Sequence, residues 1–366
     1  QTVFSSADIA LDANLEKMKT RFSAGRVANL SKFPALQYET KMSDFLWDMN
    51  KQHLQMDNES SGLEKVEFIS LHPGQNALKF KGADASLNFN EKLLTVNQVD
   101  RILVADAAVL PSTPVKIRED AKMDKLENAE IHTQNADVRH QFFNASAKIF
   151  GSKRYKAVLD YTYTDKTGIQ SVFHFDSIYA KTRRLNKQEA NRLNMTAGET
   201  KNITYGTGSI GARSEPFCLS PNFDFYGSYE VDADQPFLKF TGKTRPVRLC
   251  DTSRFFRFAS RINPENIVIP FQDSIYNAST IGTGFYIKNR GFRDLYSSFV
   301  DTTYSRRELN FLTENGYLTF NEETGRFSIF QRTENGRLDS TANLVVLNKN
   351  SCDITGLGQM DFHLSA

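Results

Sequence analysis

The chain has a single tryptophan, Trp47, in 366 residues, and only three cysteines, Cys218, Cys250 and Cys352. An odd number of thiols with no C-x-x-C pair argues against a structural zinc site. Two cysteine states stay open. One is a disulfide with a spare thiol, Cys250 and Cys352 being the expected partners because both sit beside strand-like runs; the other is three buried, reduced residues. No stretch reaches the roughly 18 consecutive apolar residues of a membrane-crossing helix. Charge of one sign is also lacking: 45 Lys and Arg stand against 43 Asp and Glu, for a net charge of +2. Without a basic field, the usual electrostatic argument for a nucleic-acid or anionic-membrane partner has nothing to rest on.

Catalytic signatures are equally sparse. The six histidines (His53, His72, His132, His140, His174 and His363) form no H-x-H, H-x-x-x-H or H-E-x-x-H, and no G-x-S-x-G elbow occurs. Gly206-Thr207-Gly208-Ser209-Ile210-Gly211 spells G-x-G-x-x-G. Ser214-Glu215-Pro216 follows, however, where a dinucleotide site needs a helix N-terminus for the pyrophosphate. No cofactor and no metal are expected. The run Arg254 to Arg261 interleaves arginine with aromatics, but on a strand Phe256 and Phe258 share the core face while Arg257 meets water. That run reads as structure, not as a nucleic-acid surface.

What the chain has in quantity is Phe (29) and Tyr (13), side chains that suit a pleated, half-buried surface. The first 62 residues nevertheless read as helical. Leu15, Met18, Phe22 and Val27 recur at near-helical spacing, as do Tyr38, Met42, Phe45, Leu46, Met49, His53 and Met56, with Pro34 between the two runs. Trp47 lies off this stripe. Asn58 to Gly62 is a polar turn cluster and the first boundary.

From Leu63 the period becomes two. Apolar-polar-apolar triplets recur from Leu78-Lys79-Phe80, Leu87-Asn88-Phe89 and Phe173-His174-Phe175 through Phe223-Asp224-Phe225 to Phe327-Ser328-Ile329. Asp165 to Gly168, Glu322 to Gly325, Asn315-Gly316 and Asn335-Gly336 supply hairpin corners. The expectation is a mainly β chain of stacked antiparallel strands behind a short helical N-terminus. Its parts would be a first β unit at 63–182, a connector at 183–200 that is loop or short helix, and a second β unit at 201–366. Two patterns suggest repetition, chance being the competing explanation for both. Asx-Ala pairs stand at Asp84, Asp106, Asn128 and Asn144, and G-x-G steps at Gly206, Gly282 and Gly356 would mark a module continuing beyond the end.

The runs Leu78 to Leu87 and Ile102 to Pro111, with Leu126-Glu127-Asn128-Ala129-Glu130-Ile131 and Asp160-Tyr161-Thr162-Tyr163, resemble a group of very large, poorly characterised envelope proteins of Bacteroidota. The resemblance covers residues 63–366. It implies an exported protein, in the periplasm or associated with the outer membrane, of which this chain is an internal segment. Asp176-Ser177-Ile178 and Asp273-Ser274-Ile275 match the short O-glycosylation motif of exported proteins of that phylum. The short strands also look like the stacked β-jellyroll proteins of the LptA/OstA type, which carry lipopolysaccharide across the periplasm. That likeness implies an apolar groove for lipid lined by Phe80, Leu87, Phe89, Phe173 and Phe175; a closed β core is the other reading of the same residues. The expected function is a non-enzymatic envelope scaffold or periplasmic bridge, with lipid or lipopolysaccharide and other envelope proteins as partners. A β-sandwich adhesin or glycan-binding module and a hydrolase on a β scaffold are the alternatives.

Overall fold

A computed structural model of the chain describes residues 4–6, 9–24, 30–57, 64–133, 140–192, 196, 198–211, 217–247, 253–276, 279–288, 294–302, 309–331 and 342–361. The chain is mainly β, its strands paired antiparallel, and it divides into two compact units. The N-terminal unit comprises Gln1–Thr162, Val172–Thr207 and Val231–Pro236; the C-terminal unit comprises Tyr163–Ser171, Gly208–Glu230 and Phe237–Ala366. Among the described residues no helix is long and apolar enough to cross a membrane.

In the N-terminal unit the chain alternates between two sheets, two strands at a time. Ile9–Asn14 (β1) and Lys19–Ala24 (β2) begin the first sheet, and Ser31–Phe33 (β3) and Tyr38–Thr40 (β4) begin the second. Asp44–Asp48 (β5) and His53–Asp57 (β6) return to the first, Val66–Ser70 (β7) and Lys79–Gly82 (β8) to the second. The alternation continues with Asp84–Asn88 (β9) and Leu93–Asn97 (β10), then Ile102–Val104 (β11) and Ala107–Leu110 (β12). Val115–Arg118 (β13) and Lys122–Met123 (β14) close the first sheet. The second sheet is extended by Leu126–Thr133 (β15), Gln141–Gly151 (β16), Arg154–Thr164 (β17), Gln170–Arg184 (β18) and Thr200–Ile210 (β19). The inner faces bury one side chain in two, as in Val66-Glu67-Phe68-Ile69-Ser70, where Val66 and Phe68 are 3% and 0% exposed. Phe4 lies between the sheets, its ring 5.5 Å from Phe22 and 5.2 Å from Phe45 on the first and 5.6 Å from Phe33 on the second.

The helices expected in the first 62 residues are therefore strands β1 to β6. The physical cause is an alias. Cross-strand partners such as Leu11 and Phe22, or Phe45 and Met56, are 11 residues apart because a short hairpin separates them. Eleven residues is also about three turns of a helix at 3.6 residues per turn, so one spacing satisfies both geometries. Within β5 the true period shows: Phe45 and Trp47 face inward, and Leu46 between them is 39% exposed.

Three hairpins of the first sheet share one loop design. An Asx side chain ends the first strand and accepts backbone N–H groups of the loop, and the residue four positions later takes a left-handed backbone. Asn14 accepts from Lys17 at 2.9 Å, Asp48 from Lys51 at 3.1 Å, and Asn88 from Asn90 and Glu91 at 3.0 and 3.1 Å. The left-handed residues are Met18, Gln52 and Lys92, with φ of 50°, 49° and 49°. The same loop recurs in the C-terminal unit at Asn321 with Gly325 and at Asn348 with Cys352.

The C-terminal unit contains three groups of strands. Phe217–Ser220 (β20), Phe223–Asp232 (β21), Lys239–Pro246 (β22) and Phe256–Arg261 (β23) pair around β21 and β22. Ile269–Phe271 (β24) joins a five-stranded sheet as its edge. That sheet is completed by Gly316–Asn321 (β29), Arg326–Phe330 (β30), Leu344–Asn348 (β31) and Ile354–Leu357 (β32). Ser274–Tyr276 (β25), Ser279–Ile287 (β26), Leu295–Thr302 (β27) and Leu309–Thr313 (β28) form the third group around β26. Edge-on phenylalanines fill the interior, with Phe225 5.2 Å from Phe240 and Phe223 5.6 Å from Phe327.

The connector at 183–200 contains the short helix Lys187–Arg192. Gly206, Gly282 and Gly356 fall in β19, β26 and β32, which belong to three different sheets. Gly206 and Gly208 lie inside a strand, not ahead of a helix, and a side chain there would strike Ile178 and Tyr229 respectively. Of the Asx-Ala pairs, two are bulges: Asn128 and Asn144 have φ of 53° and 50°, and the buried Ala129 and Ala145 that follow are register partners. Asn335-Gly336 lies outside the described residues.

Candidate apolar binding site

The inner face of the first sheet carries two rows of cross-strand neighbours. Leu11, Phe22, Phe45 and Met56 form one; Thr20, Trp47, Leu54 and Leu87 form the other. Toward Met56 and Leu87 these rows are closed over, both residues being 1% exposed or less. Toward β1 and the hairpin loops they are not. There the wall opens into a cavity of about 540 Å³ lined by Phe4, Leu11, Thr20, Phe22, Trp47, Gln52, Leu54 and Phe89. This volume lies within the range of about 300–1,000 Å³ that small-molecule sites occupy.

The loops that edge this cavity are tied together. Met18 accepts a hydrogen bond from Met49 N at 2.9 Å, and Gln52 accepts one from Phe89 N at 3.0 Å. In each case the left-handed residue of one hairpin offers its carbonyl to the next hairpin. The ladder sets Trp47 and Phe89 edge to face, ring centroids 6.1 Å apart at 75°. The chemistry of the wall is simple. None of the eight lining residues carries a charge, Leu11 is 67% exposed at the mouth, and the polar groups are Thr20, Gln52 and the Trp47 indole N–H. That N–H is buried and has no hydrogen-bond partner among the described residues. Gln52 donates its own amide to the Met49 carbonyl at 2.7 Å.

The residues expected to line a lipid groove separate cleanly. Phe80, Leu87, Phe173 and Phe175 are 4%, 1%, 2% and 0% exposed and belong to the closed interior, whereas Phe89 lines the cavity. Trp47, Phe4, Leu11 and Phe22, which complete the wall with Phe89, were assigned no ligand role from sequence. A lone tryptophan two residues from Phe45 was the signal available.

Other polar clusters have their partners close by. His174 Nδ1 is 2.7 Å from Asp160 and Nε2 is 3.5 Å from Asp176, so both ring nitrogens face carboxylates. Burial works against the Asp160 carboxylate, but hydrogen bonds from His174 and Asn144 outweigh it and hold its pKa below the ordinary value. His132 pairs with Glu130, and buried His140 bonds the Gln235 carbonyl. Asp106 accepts from Thr204 N and Oγ1 at 2.8 and 2.7 Å, and Tyr155 OH meets that same hydroxyl at 2.7 Å. Burial raises the Asp106 pKa in spite of these bonds. Among the described residues no group of three or more His, Cys, Asp and Glu is arranged to hold a metal ion.

Cys218 is a free, exposed thiol whose pKa is raised by partial burial and by Asp224. Cys352 is disulfide-bonded; Cys250, the expected partner, lies outside the described residues. No family model matches the chain, and no curated protein or solved structure is detectably similar to it.

Proposed function

We propose that the chain is a non-enzymatic, exported β-scaffold of the cell envelope that holds an acyl chain in the Trp47 cavity. The cavity carries this reading: it is preformed, uncharged and walled by Phe4, Leu11, Phe22, Trp47, Leu54 and Phe89, a lining that favours a hydrocarbon chain over a sugar or a nucleotide. Two features support the rest. A disulfide at Cys352 suits an oxidising compartment such as the periplasm. The two-strand alternation between facing sheets suits a stacked β-jellyroll, a design that lengthens by adding strands. The lipid role is assigned to the end cavity alone, because Phe80, Leu87, Phe173 and Phe175 are buried. Lipid and neighbouring envelope proteins are the partners this reading implies.

Native mass spectrometry of the chain purified from a Gram-negative host, with lipid extraction, tests it. The expected result is a co-purifying acyl lipid that is lost in Leu11→Asp. Leu11 is exposed enough for that substitution to leave folding intact, which circular dichroism checks. A ligand-free mass for the unmodified chain overturns the proposal.

A further inference from the structure

We infer that two copies of the chain join edge to edge through β1, pairing antiparallel about a two-fold axis with Leu11 opposite Leu11.

A sheet edge offers unpaired N–H and C=O groups to any strand that fits, and folded chains usually blunt it. Three edges bound the two sheets within the N-terminal unit. The first sheet ends on one side at β14, which is two residues long and begins with the exposed Lys122. The second sheet ends at β3, whose outer side is taken: Ser5 N donates to Lys32 O at 3.0 Å and Lys32 N to Ser5 O at 2.8 Å. β1 has neither protection. It runs Ile9-Ala10-Leu11-Asp12-Ala13-Asn14 without proline, lysine or bulge, and among the described residues it pairs only with β2. This edge is also apolar at the surface. Leu15 and Leu11, 72% and 67% exposed, are the two most exposed large apolar side chains among the described residues, and Met18 of the same hairpin is exposed as well.

The strand is its own complement, which makes a second copy the occupant. A two-fold axis normal to the sheet keeps the inner faces of both copies on one side, so opposed residues have numbers of the same parity. The same parity brings the outward backbone groups of one copy against the outward groups of the other. Centred on Leu11, the pairing sets Asp12 against Ala10 and Ala13 against Ile9, and no charge faces its like. Centred on Asp12, it would oppose two carboxylates, which is destabilising. The Leu11 register also withdraws from water a side chain that stands exposed at the cavity mouth. Each copy spends its β1 edge on the other, so the association closes at two.

Sedimentation velocity of the full chain over a concentration series tests this. A dimer with a Kd in the micromolar range is expected, since a single strand pair is a small interface. Ala10 is exposed and does not line the Trp47 cavity, so substitutions there probe the edge alone. Ala10→Lys sets an ammonium opposite Asp12 of the other copy, and Ala10→Glu sets a carboxylate there; each contact occurs twice in the dimer. The Kd should fall about tenfold for Ala10→Lys and rise about tenfold for Ala10→Glu at low salt, both differences shrinking at high salt. In the unmodified chain, alternate amides of β1 should gain protection from hydrogen exchange as concentration rises, while those of β14 do not change. A chain that stays monomeric to about 0.5 mM overturns the inference. So do Kd shifts of the same sign for the two variants, β1 exchange that ignores concentration, or growth beyond a dimer. Circular dichroism checks that the variants fold; where one does not, the exchange of the unmodified chain decides.

Discussion

In the N-terminal unit the residues with positive φ are Met18, Gln37, Gln52, Lys92, Ala105, Asn128 and others like them; twelve of the fourteen non-glycine cases among the described residues fall there. In the C-terminal unit the corresponding positions are mostly Gly168, Gly227, Gly284, Gly316, Gly325 and Gly358. The two units lean on different regions of backbone space, although the C-terminal loops at Gly325 and Cys352 use the left-handed region as well. The N-terminal loops use the left-handed helical region near φ of 50°, which a side chain can occupy at a cost of about 1–2 kcal/mol. Gly227, Gly284 and Gly316 sit at 148°, 147° and 143°, a region essentially closed to residues with a Cβ. One unit therefore carries distributed strain held by Asx acceptors and a loop ladder, and the other avoids strain by glycine at points of close approach.

The strongest way to break this contrast is Gly284→Ala. The new methyl would meet Thr313 Cα at 2.7 Å on a backbone that rejects it, so a loss of about 3 kcal/mol is expected in urea unfolding of the full chain. A loss under about 1 kcal/mol would show that the glycines are incidental. Asn88→Ala should come next. It leaves Asn90 N and Glu91 N without their acceptor, and the expected loss of about 1 kcal/mol is read by the same measurement. The contrast predicts a change of sign at a third pair. Ala105→Gly, at φ of 56°, relieves strain and should raise stability by up to about 1 kcal/mol, while Gly325→Ala, at 63°, should lower it by a similar amount. Thermal midpoints moving in the same direction for both would contradict the account.

The smallest effect is a pH dependence in the C-terminal unit. Asp273 is exposed as a residue, but partial desolvation of its carboxyl raises its pKa to about 6 from 3.8, and solvent screening keeps the effect on stability small. The folded state then holds a proton that the unfolded state has released, so this residue's contribution falls as pH rises from about 4 to about 6 and is flat beyond. Asp273→Asn should flatten that segment of the stability curve, as followed by chemical denaturation across the range.

How far the sequence reveals the fold follows from the same contrast. Where glycine or a long period-two run marks the chain, as at Asp165 to Gly168 or Phe173-His174-Phe175, the strands and corners are legible. Asp165 Oδ1 accepts from Thr167 N and Ile169 N, Gly168 has φ of 83°, and both phenylalanines are buried. Where left-handed corners are made by Met18, Gln52 and Lys92, nothing in the residue type announces a turn. The strands of three to six residues between them are too short to display their own period. Across such corners the 11-residue partner spacing passes for a helix face. The cavity was hidden for the same reason, since its wall is a set of cross-strand pairs in those six strands. Only Phe89 sat within a run whose alternation could be read.

The two-strand alternation of the N-terminal unit has a consequence for how such a chain can evolve. Each excursion leaves one sheet and returns to it having added a complete pair to the other. Duplicating or deleting a full cycle, one pair in each sheet, would leave every later strand in its own sheet with its inward face unchanged. Losing a single pair would exchange the sheets for everything downstream. Length in this architecture is therefore free to drift in whole cycles while the cross-section is held fixed. Genetic change of that size is the kind it should tolerate most readily.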